Sequence, residues 1–437
     1  MSLRLGEEIQ EVLRTERVMG RGRSDPSSPG NGSFTLGGGW MKSPEEIIVP
    51  GFRAAGTACG IKRSGKPDLA VVVSDLPCVS AVVLTRNKVA AAPVAWARSL
   101  RDRSGLRGVL VNSGNANACT GAAGAAAVRE TSRAACAALG LPGNALLVGS
   151  TGVIGVPLPV GKIVAALPGL ARRLSPEGIV EAGEAIRTTD AFPKRGVRRL
   201  RAGGRTVTLG GIAKGAGMIA PNMGTMLAYI FTDAALAPAD ARRALREGTD
   251  ASFNRIVVDG DTSTNDTAAL FANGACGLPA LKGSDLAAFR EALRSLLLDL
   301  ALMIVRDGEG ATRVVRIAVT GARNDAQAEK AVRAVATSPL VKTAVHGADL
   351  NWGRVIAVLG RAGIDVDPSR IEMRFAGELL LRRGMRPDPA AERRAAPRIR
   401  RDAYGIDADL GLGKGSAHAY FSDLSVEYVK LNSGYRS

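Results

Sequence analysis

Gly210–Leu227 reads GGIAKGAGMIAPNMGTML. Small residues crowd around one lysine (Lys214), one proline (Pro221), one asparagine (Asn222) and one threonine (Thr225). One reading is a glycine-rich loop that enters a strand over Met226–Phe231. The other starts from the Gly224–Thr225 bond. A threonine Oγ can attack the carbonyl before it if the backbone is held strained. The acyl group then shifts from nitrogen to oxygen, and water cleaves the ester. Thr225 would emerge with a free α-amine, which titrates near neutrality and can serve as base for the neighbouring hydroxyl. Positioning within one chain can lower such a barrier by roughly 7–11 kcal/mol. The residues leave both readings open. The second has an added appeal, because the two histidines, His346 and His418, leave few candidates for a Ser–His–Asp triad.

Working outward, Ser150–Gly155 (STGVIG) follows an expected strand. Its backbone N–H groups and hydroxyls at a tight turn suit an oxyanion hole, where losing one donor costs roughly 2.7–4 kcal/mol. A plain strand-ending turn reads the same. Val111–Asn117 places three amides after a strand, and Val258–Asp266 is an acidic run. The acidic run lacks the sixth-position glycine and distal glutamate of a calcium loop. Arg306–Gly310 sets Glu309 between two glycines at a helix end, able to receive a substrate ammonium or to form a solvated turn. Gly60–Lys66 has the spacing of a phosphate loop. Pro67 follows it, however, and offers neither a hydroxyl nor an N–H to open a helix, so the segment is read as a turn.

The pattern along the chain is of class α/β. Val- and Leu-rich strands are expected at Leu69–Ser74, Ser80–Thr85, Gly108–Asn112, Ala145–Gly149 and Val314–Val319. Gly121–Leu139 is alanine-rich and helical. Leu286, Phe289, Leu293, Leu296, Leu297, Leu300, Met303 and Ile304 recur at a 3.6-residue period, with Ser284 as cap and a stop near Asp307–Gly308. Asn324 caps a helix to about Thr337, and the last forty residues look mostly extended.

Hydrophobic residues are 46% and charged residues 23% of the 437, which excludes wholesale disorder. The chain carries 53 glycines and 4% aromatics, so small side chains and close backbone approaches are expected. Lys and Arg outnumber Asp and Glu by 58 to 41. The excess is diffuse; its densest runs, Lys194–Arg205 and Arg370–Arg401, interleave no aromatics and read as solvated surface rather than a nucleic-acid site. Five cysteines without a C-x-x-C spacing fit a reducing cytoplasm. The densest apolar stretch, Leu296–Val305, is short and contains Asp299, so no membrane span is expected. Residues 1–40 lack an apolar core and balance arginines against acids. They read as a flexible extension or an over-long start, with the fold beginning near Met41.

Taken in order, GFRAAGTACGIK, VNSGNANACTG, STGVIG, KGAGMIAPNMGTML, SFNRIVVDGDTSTND, VRDGEGATR, GADLNWGR and YVKLNSGYRS resemble the ornithine acetyltransferase family. The family is also called bifunctional glutamate N-acetyltransferase, of arginine biosynthesis. The resemblance covers Gly51–Ser437. It implies a fold similar to N-terminal-nucleophile hydrolases and a related aminopeptidase, with distinct topology. It implies self-cleavage at Gly224–Thr225 into an α chain (41–224) and a β chain (225–437), associated as α2β2. Thr225 would take the acetyl group from N2-acetylornithine and pass it to L-glutamate in a ping-pong cycle. Thr151 and Gly152 fall on the oxyanion positions. Substrate contacts fall on Thr151, Lys214, Thr225, Glu309, Asn432 and Ser437, with Lys214 toward the α-carboxylate and Glu309 toward the ornithine ammonium. No cofactor is implied; acetyl-CoA is a donor in some members.

Four departures stand out. Gly224 replaces the usual alanine before the nucleophile, which frees the backbone there. Ser437 replaces a terminal threonine but keeps the hydroxyl. Leu350 replaces a proline, and residues 1–40 have no counterpart. Two competing readings remain: a self-cleaving hydrolase or aminopeptidase that shares Thr225 but lets water deacylate it, and a basic nucleic-acid-binding protein, which salt-dependent binding would reveal.

Overall fold

The computed structural model describes residues 46–100, 105–220 and 226–434. The 1–40 segment, Gly224, Thr225 and Ser437 lie outside the described residues. In chain order the strands are β1 (Phe52–Thr57), β2 (Leu69–Leu84), β3 (Leu106–Asn115), β4 (Leu146–Val153), β5 (Lys194–Ala202), β6 (Arg205–Lys214) and β7 (Leu227–Thr232). They continue as β8 (Ile256–Val257), β9 (Thr267–Ala272), β10 (Val314–Ala322), β11 (Glu372–Phe375), β12 (Glu378–Arg382), β13 (Ala403–Asp409) and β14 (Gly415–Ser422).

Two mixed sheets form. The first has eight strands in the order β4-β3-β2-β9-β7-β6-β5, with β1 also on β2; the second has six, β12-β11-β13-β10-β14-β8. Parallel pairs (β3 with β4, β7 with β9) sit among antiparallel ones. The two strands expected at Leu69–Ser74 and Ser80–Thr85 are one strand. Its middle, Asp75–Pro77, is exposed, and the register against β3 shifts between Val73 and Cys78. Before the shift β2 pairs with β1, after it with β9. The Asp-Leu-Pro triplet looks like a break in the sequence. In the fold it is a bulge-like irregularity inside the sheet, and a proline is tolerated at such a bulge.

The helix Gly283–Arg306 lies between the sheets. Its Phe289, Leu293, Leu296, Leu300 and Ile304 share one core with Leu209, Ile230 and Leu270 of the first sheet and with Val314, Ala403 and Tyr420 of the second. It approaches the first sheet closely because Gly196 and Gly211 face each other across the β5–β6 ladder. A Cβ at Gly196 would lie 2.5 Å from Leu296 Cδ1, and one at Gly211 3.0 Å from Leu300 Cδ1. The two glycines form a trough that the leucines fill. On the far face of the first sheet, Phe52, Phe231 and Phe271 stack against the Ile179–Ala185 helix. The far face of the second sheet is covered by the helices Asp325–Ala336, Pro339–His346 and Trp352–Gly360.

Two local expectations need correction. Ser284 does not cap its helix: the helix begins at Gly283, Lys282 occupies the cap position, and no side chain bonds the first turn. The chain end is not all extended, because Val426–Gly434 is helical. Ser425 Oγ accepts the Tyr428 N–H at its start, a capping geometry that the alternating run Val-Glu-Tyr-Val-Lys-Leu disguises as a strand. Asn324 does cap its helix, accepting from Gln327 N.

Leu296→Ala should empty the glycine trough. Large-to-small changes at such sites cost about 2–5 kcal/mol, and denaturant unfolding should show a loss in that range. A change below about 1 kcal/mol would mean that the trough does not set the packing of the sheets.

Candidate functional site

Strand ends and one helix end meet around a single pocket. Thr151 and Gly152 at the end of β4, Lys214 at the end of β6, Glu309 after the central helix, and Asn432 on the terminal helix all line it. Each of these was expected from the sequence. Ser263, Thr264 and Asn265 before β9, Thr188 and Thr189 before β5, and Met218 complete the wall.

The oxyanion candidate depends on two glycines. Gly152 has φ +131°, and a Cβ on it would fall 2.4 Å from the Gly114 carbonyl carbon and 2.5 Å from Asn115 N. The β3–β4 register shifts at this point. The result is a bulge that re-aims the backbone at the pocket, as bulges beside functional sites do. The three amides of Val111–Asn117 do not line the pocket. Asn112 Nδ2 donates to the Asn115 carbonyl, Asn115 Nδ2 to the Val156 and Pro157 carbonyls, and Asn117 Nδ2 to the Gly124 carbonyl. They brace the loop and leave Ala116 as its pocket residue.

Lys214 is buried, and the nearest carboxylate oxygen, Asp190 Oδ2, is 3.9 Å from its Nζ. Burial pushes its pKa down; the Asp190 charge opposes that shift and Lys194 adds to it. Glu309 is fixed at its backbone, where its N–H donates to the Ala216 carbonyl at 2.9 Å. Its carboxylate rests on Gly217, where a Cβ would come within 2.7 Å of it. Asn432 Nδ2 donates to Glu309 Oε2 at 2.8 Å. The pocket therefore offers a cation, Lys214, and an amide-braced carboxylate, Glu309, in one lining. The acidic run has a structural part as well, because Asp259 accepts the Met218 and Ile219 N–H groups.

Sequence reasoning missed two sets of groups. The first is a buried ionic cluster beside Lys214: Lys194 Nζ donates to Asp190 Oδ1 at 2.6 Å and also to Asp307. Lys194 heads a basic run expected to be solvated, yet it is fully buried, because these two carboxylates compensate its charge. The i,i+4 spacing of Asp190 and Lys194 gave no signal, because the segment is not helical and Asp307 comes from a distant part of the chain. The second is Asp266, also fully buried. Its Oδ1 accepts the N–H of Met226, the residue after Thr225, at 2.8 Å, and among the described residues its Oδ2 accepts no hydrogen bond. Burial holds its carboxyl well above the usual range.

The two histidines lie elsewhere. His346 Nδ1 meets Asp423 Oδ2 at 2.8 Å, and His418 sits in β14 with its pKa pushed down to about 4 by burial. Gly60–Lys66 is a turn, as read: Asp68 ties it by accepting the Cys59, Ile61 and Lys62 N–H groups. Among the described residues no helix is long and apolar enough to cross a membrane.

The mixed α/β fold and this small, charge-paired pocket define an enzyme of small-molecule chemistry. The chain belongs to the ArgJ family, which residues 53–437 match. It is 48% identical to the arginine biosynthesis bifunctional protein ArgJ of Geobacter sulfurreducens, over 89% of this chain and 100% of that protein. A crystal structure of the ornithine acetyltransferase of Mycobacterium tuberculosis in complex with ornithine is 38% identical, covering 42% of this chain and 96% of that one, with a TM-score of 0.37. The L-aminopeptidase D-Ala-esterase/amidase of Ochrobactrum anthropi, a variant of the Ntn hydrolase fold, matches at 13% identity over 61% of this chain and 87% of its own, with a TM-score of 0.40.

The raised Asp266 carboxyl sets a pH dependence. The unfolded chain releases this proton near pH 4, and the folded chain keeps it to higher pH. Stability from this group is therefore full at low pH and falls as pH rises toward the folded value. Asp266→Asn removes the dependence. The unfolding midpoint of the variant relative to the parent should rise between pH 4 and pH 7; a constant difference would show that Asp266 does not titrate abnormally.

Proposed function

We propose that the chain moves the acetyl group of N2-acetylornithine to L-glutamate through an acetyl-Thr225 intermediate, after cleaving itself at Gly224–Thr225. The observation that carries this reading is the pairing of Lys214 with Glu309 in one pocket, beside Thr151 and Gly152. An α-carboxylate suits the Lys214 ammonium, and a δ-ammonium suits Glu309 with Asn432 bracing it. Thr225 Oγ would attack the acetyl carbon while its own α-amine takes the hydroxyl proton. Thr151 and the Gly152 backbone would hold the oxyanion. The tetrahedral intermediate collapses as the substrate α-nitrogen leaves with that proton. The glutamate α-amine then attacks the ester and regenerates Thr225. Ser437 would be a further substrate contact.

The cut products, 41–224 and 225–437, would stay together. Strands β7 and β9 from the second piece lie between β2 and β6 of the first. Pairing of two such units as α2β2 and acetyl-CoA as a further donor belong to the same proposal, as does a cytoplasmic setting. The hydrolase alternative shares Thr225, but a pocket lined by both a cation and a carboxylate favours an amino acid over water as acceptor.

Intact mass under denaturing conditions tests the reading. The expected result is two chains split at Gly224–Thr225, with one acetyl gained by the chain starting at Thr225 after exposure to N2-acetylornithine. Thr225→Ala should give one uncleaved, inactive chain, and two chains from that variant would exclude Thr225 as nucleophile. Glu309→Ala should still cleave but lose roughly 10- to 100-fold in kcat/KM for N2-acetylornithine, the scale of one hydrogen bond to a charged group. Unchanged kinetics would remove Glu309 from the substrate site.

A further inference from the structure

Four ionic side chains with little or no exposure form one cluster at the pocket: Lys214 lines it, and Asp190, Lys194 and Asp307 stand behind Lys214. Two cations and two anions balance. Burying ions is costly even when they are paired, and hydrophobic residues of similar volume usually stabilise a core as well or better. A core position alone does not account for this cluster, so its connections matter.

Asp190 is the hub. Its Oδ1 accepts from Lys194 Nζ at 2.6 Å and from Gly215 N at 2.7 Å; its Oδ2 accepts from Thr188 N at 2.9 Å. Asp307 accepts from Lys194 and from Ala191 N. The cluster thereby joins three segments that each supply pocket residues: Thr188–Ala191, Lys214–Gly217 and Asp307–Glu309. Toward Lys214 the geometry differs. At 3.9 Å, Asp190 Oδ2 attracts the ammonium but lies beyond hydrogen-bond reach. Among the described residues Lys214 Nζ makes no hydrogen bond, so its donors are free for a ligand.

We propose that Asp190 is a positioning residue for acetyl transfer: it holds Lys214 charged, in place and unbonded for a substrate carboxylate, with Lys194 setting how much of the Asp190 charge reaches Lys214. This rests on the acetyl-transfer reading above. The charged groups around Lys214 are Asp190, Lys194, Glu309 and Asp266, with Lys62 and Asp307 beyond them. Both substrates carry an α-carboxylate, so the arrangement serves both half-reactions.

The signs follow. Lys214 must be protonated to bind a carboxylate, and burial already works against that. Asp190→Asn removes the supporting charge, so Lys214 loses its proton at lower pH. Lys194→Met removes a competing cation and leaves Asp190 to Lys214, so the proton is kept to higher pH.

The test measures kcat and KM against pH, for N2-acetylornithine and for glutamate, with full-length protein whose cleavage has been verified by mass. For Asp190→Asn the expected result is KM raised tenfold or more for both substrates, with kcat reduced less. The alkaline limb of kcat/KM should move to lower pH. For Lys194→Met that limb should move to higher pH. Loss of packing alone would not give opposite shifts, and if one variant fails to fold the other still decides. Limbs that stay in place, or move together, would overturn the role of Asp190. A parent protein that transfers no acetyl group would instead overturn the proposed function, which is a separable outcome.

Discussion

The trough formed by Gly196 and Gly211 is the contact from which the rest of the architecture follows. It lets Leu296 and Leu300 seat against the β5–β6 ladder, which brings the Gly283–Arg306 helix close enough to share one core with both sheets. The helix direction is then set, and its end falls beside Lys214. Asp307 reaches back to Lys194 in β5, and Glu309 reaches Ala216 and the bare face of Gly217. The same backbone proximity that packs the core therefore delivers a carboxylate to the pocket. A Cβ at Gly217 would meet that carboxylate first and displace it.

The charges at the pocket form two layers. Lys214, Glu309 and Asn432 face the cavity, while Asp190, Lys194 and Asp307 stand behind them. Buried charge is tolerated only where partners and hydrogen bonds satisfy it. The rear layer meets that condition through backbone N–H groups of the very segments it positions. Electrostatic satisfaction and placement of the wall are thus one interaction. Asp266 is the exception, with one oxygen unpartnered among the described residues and its carboxyl raised by burial.

Lys214 stood out in the sequence as the one charge in a glycine-rich run, and Glu309 as a carboxylate set between two glycines; the resemblance to the family gave both a substrate role. The amides at Asn112, Asn115 and Asn117 stood out as strongly but brace a loop, since an amide-rich turn carries the same signature whether it faces a ligand or its own backbone. Asp190 was not legible, because its partners Asp307 and Lys214 come from distant segments and meet it only through tertiary packing. The break in β2 and the terminal helix misled for a local reason. A proline triplet and an alternating apolar run report propensity, and packing or a cap can override both.

The anchoring of the segment between β6 and β7 bears on how a self-cleaved protein would hold its shape. On one side, Gly215 N is held by Asp190, Ala216 by Glu309, and Met218 and Ile219 by Asp259. On the other, Met226 is held by Asp266, and Leu227 pairs across the ladder with Lys214 itself. Every one of these anchors lies outside the bond between Gly224 and Thr225. A cut there would sever none of them, and the chain beginning at Thr225 would start beside a fixed Met226 rather than at a free end. Strand β7 would also remain hydrogen-bonded on both edges, to β6 and β9. The piece beginning after such a cut would therefore keep β7 within the sheet.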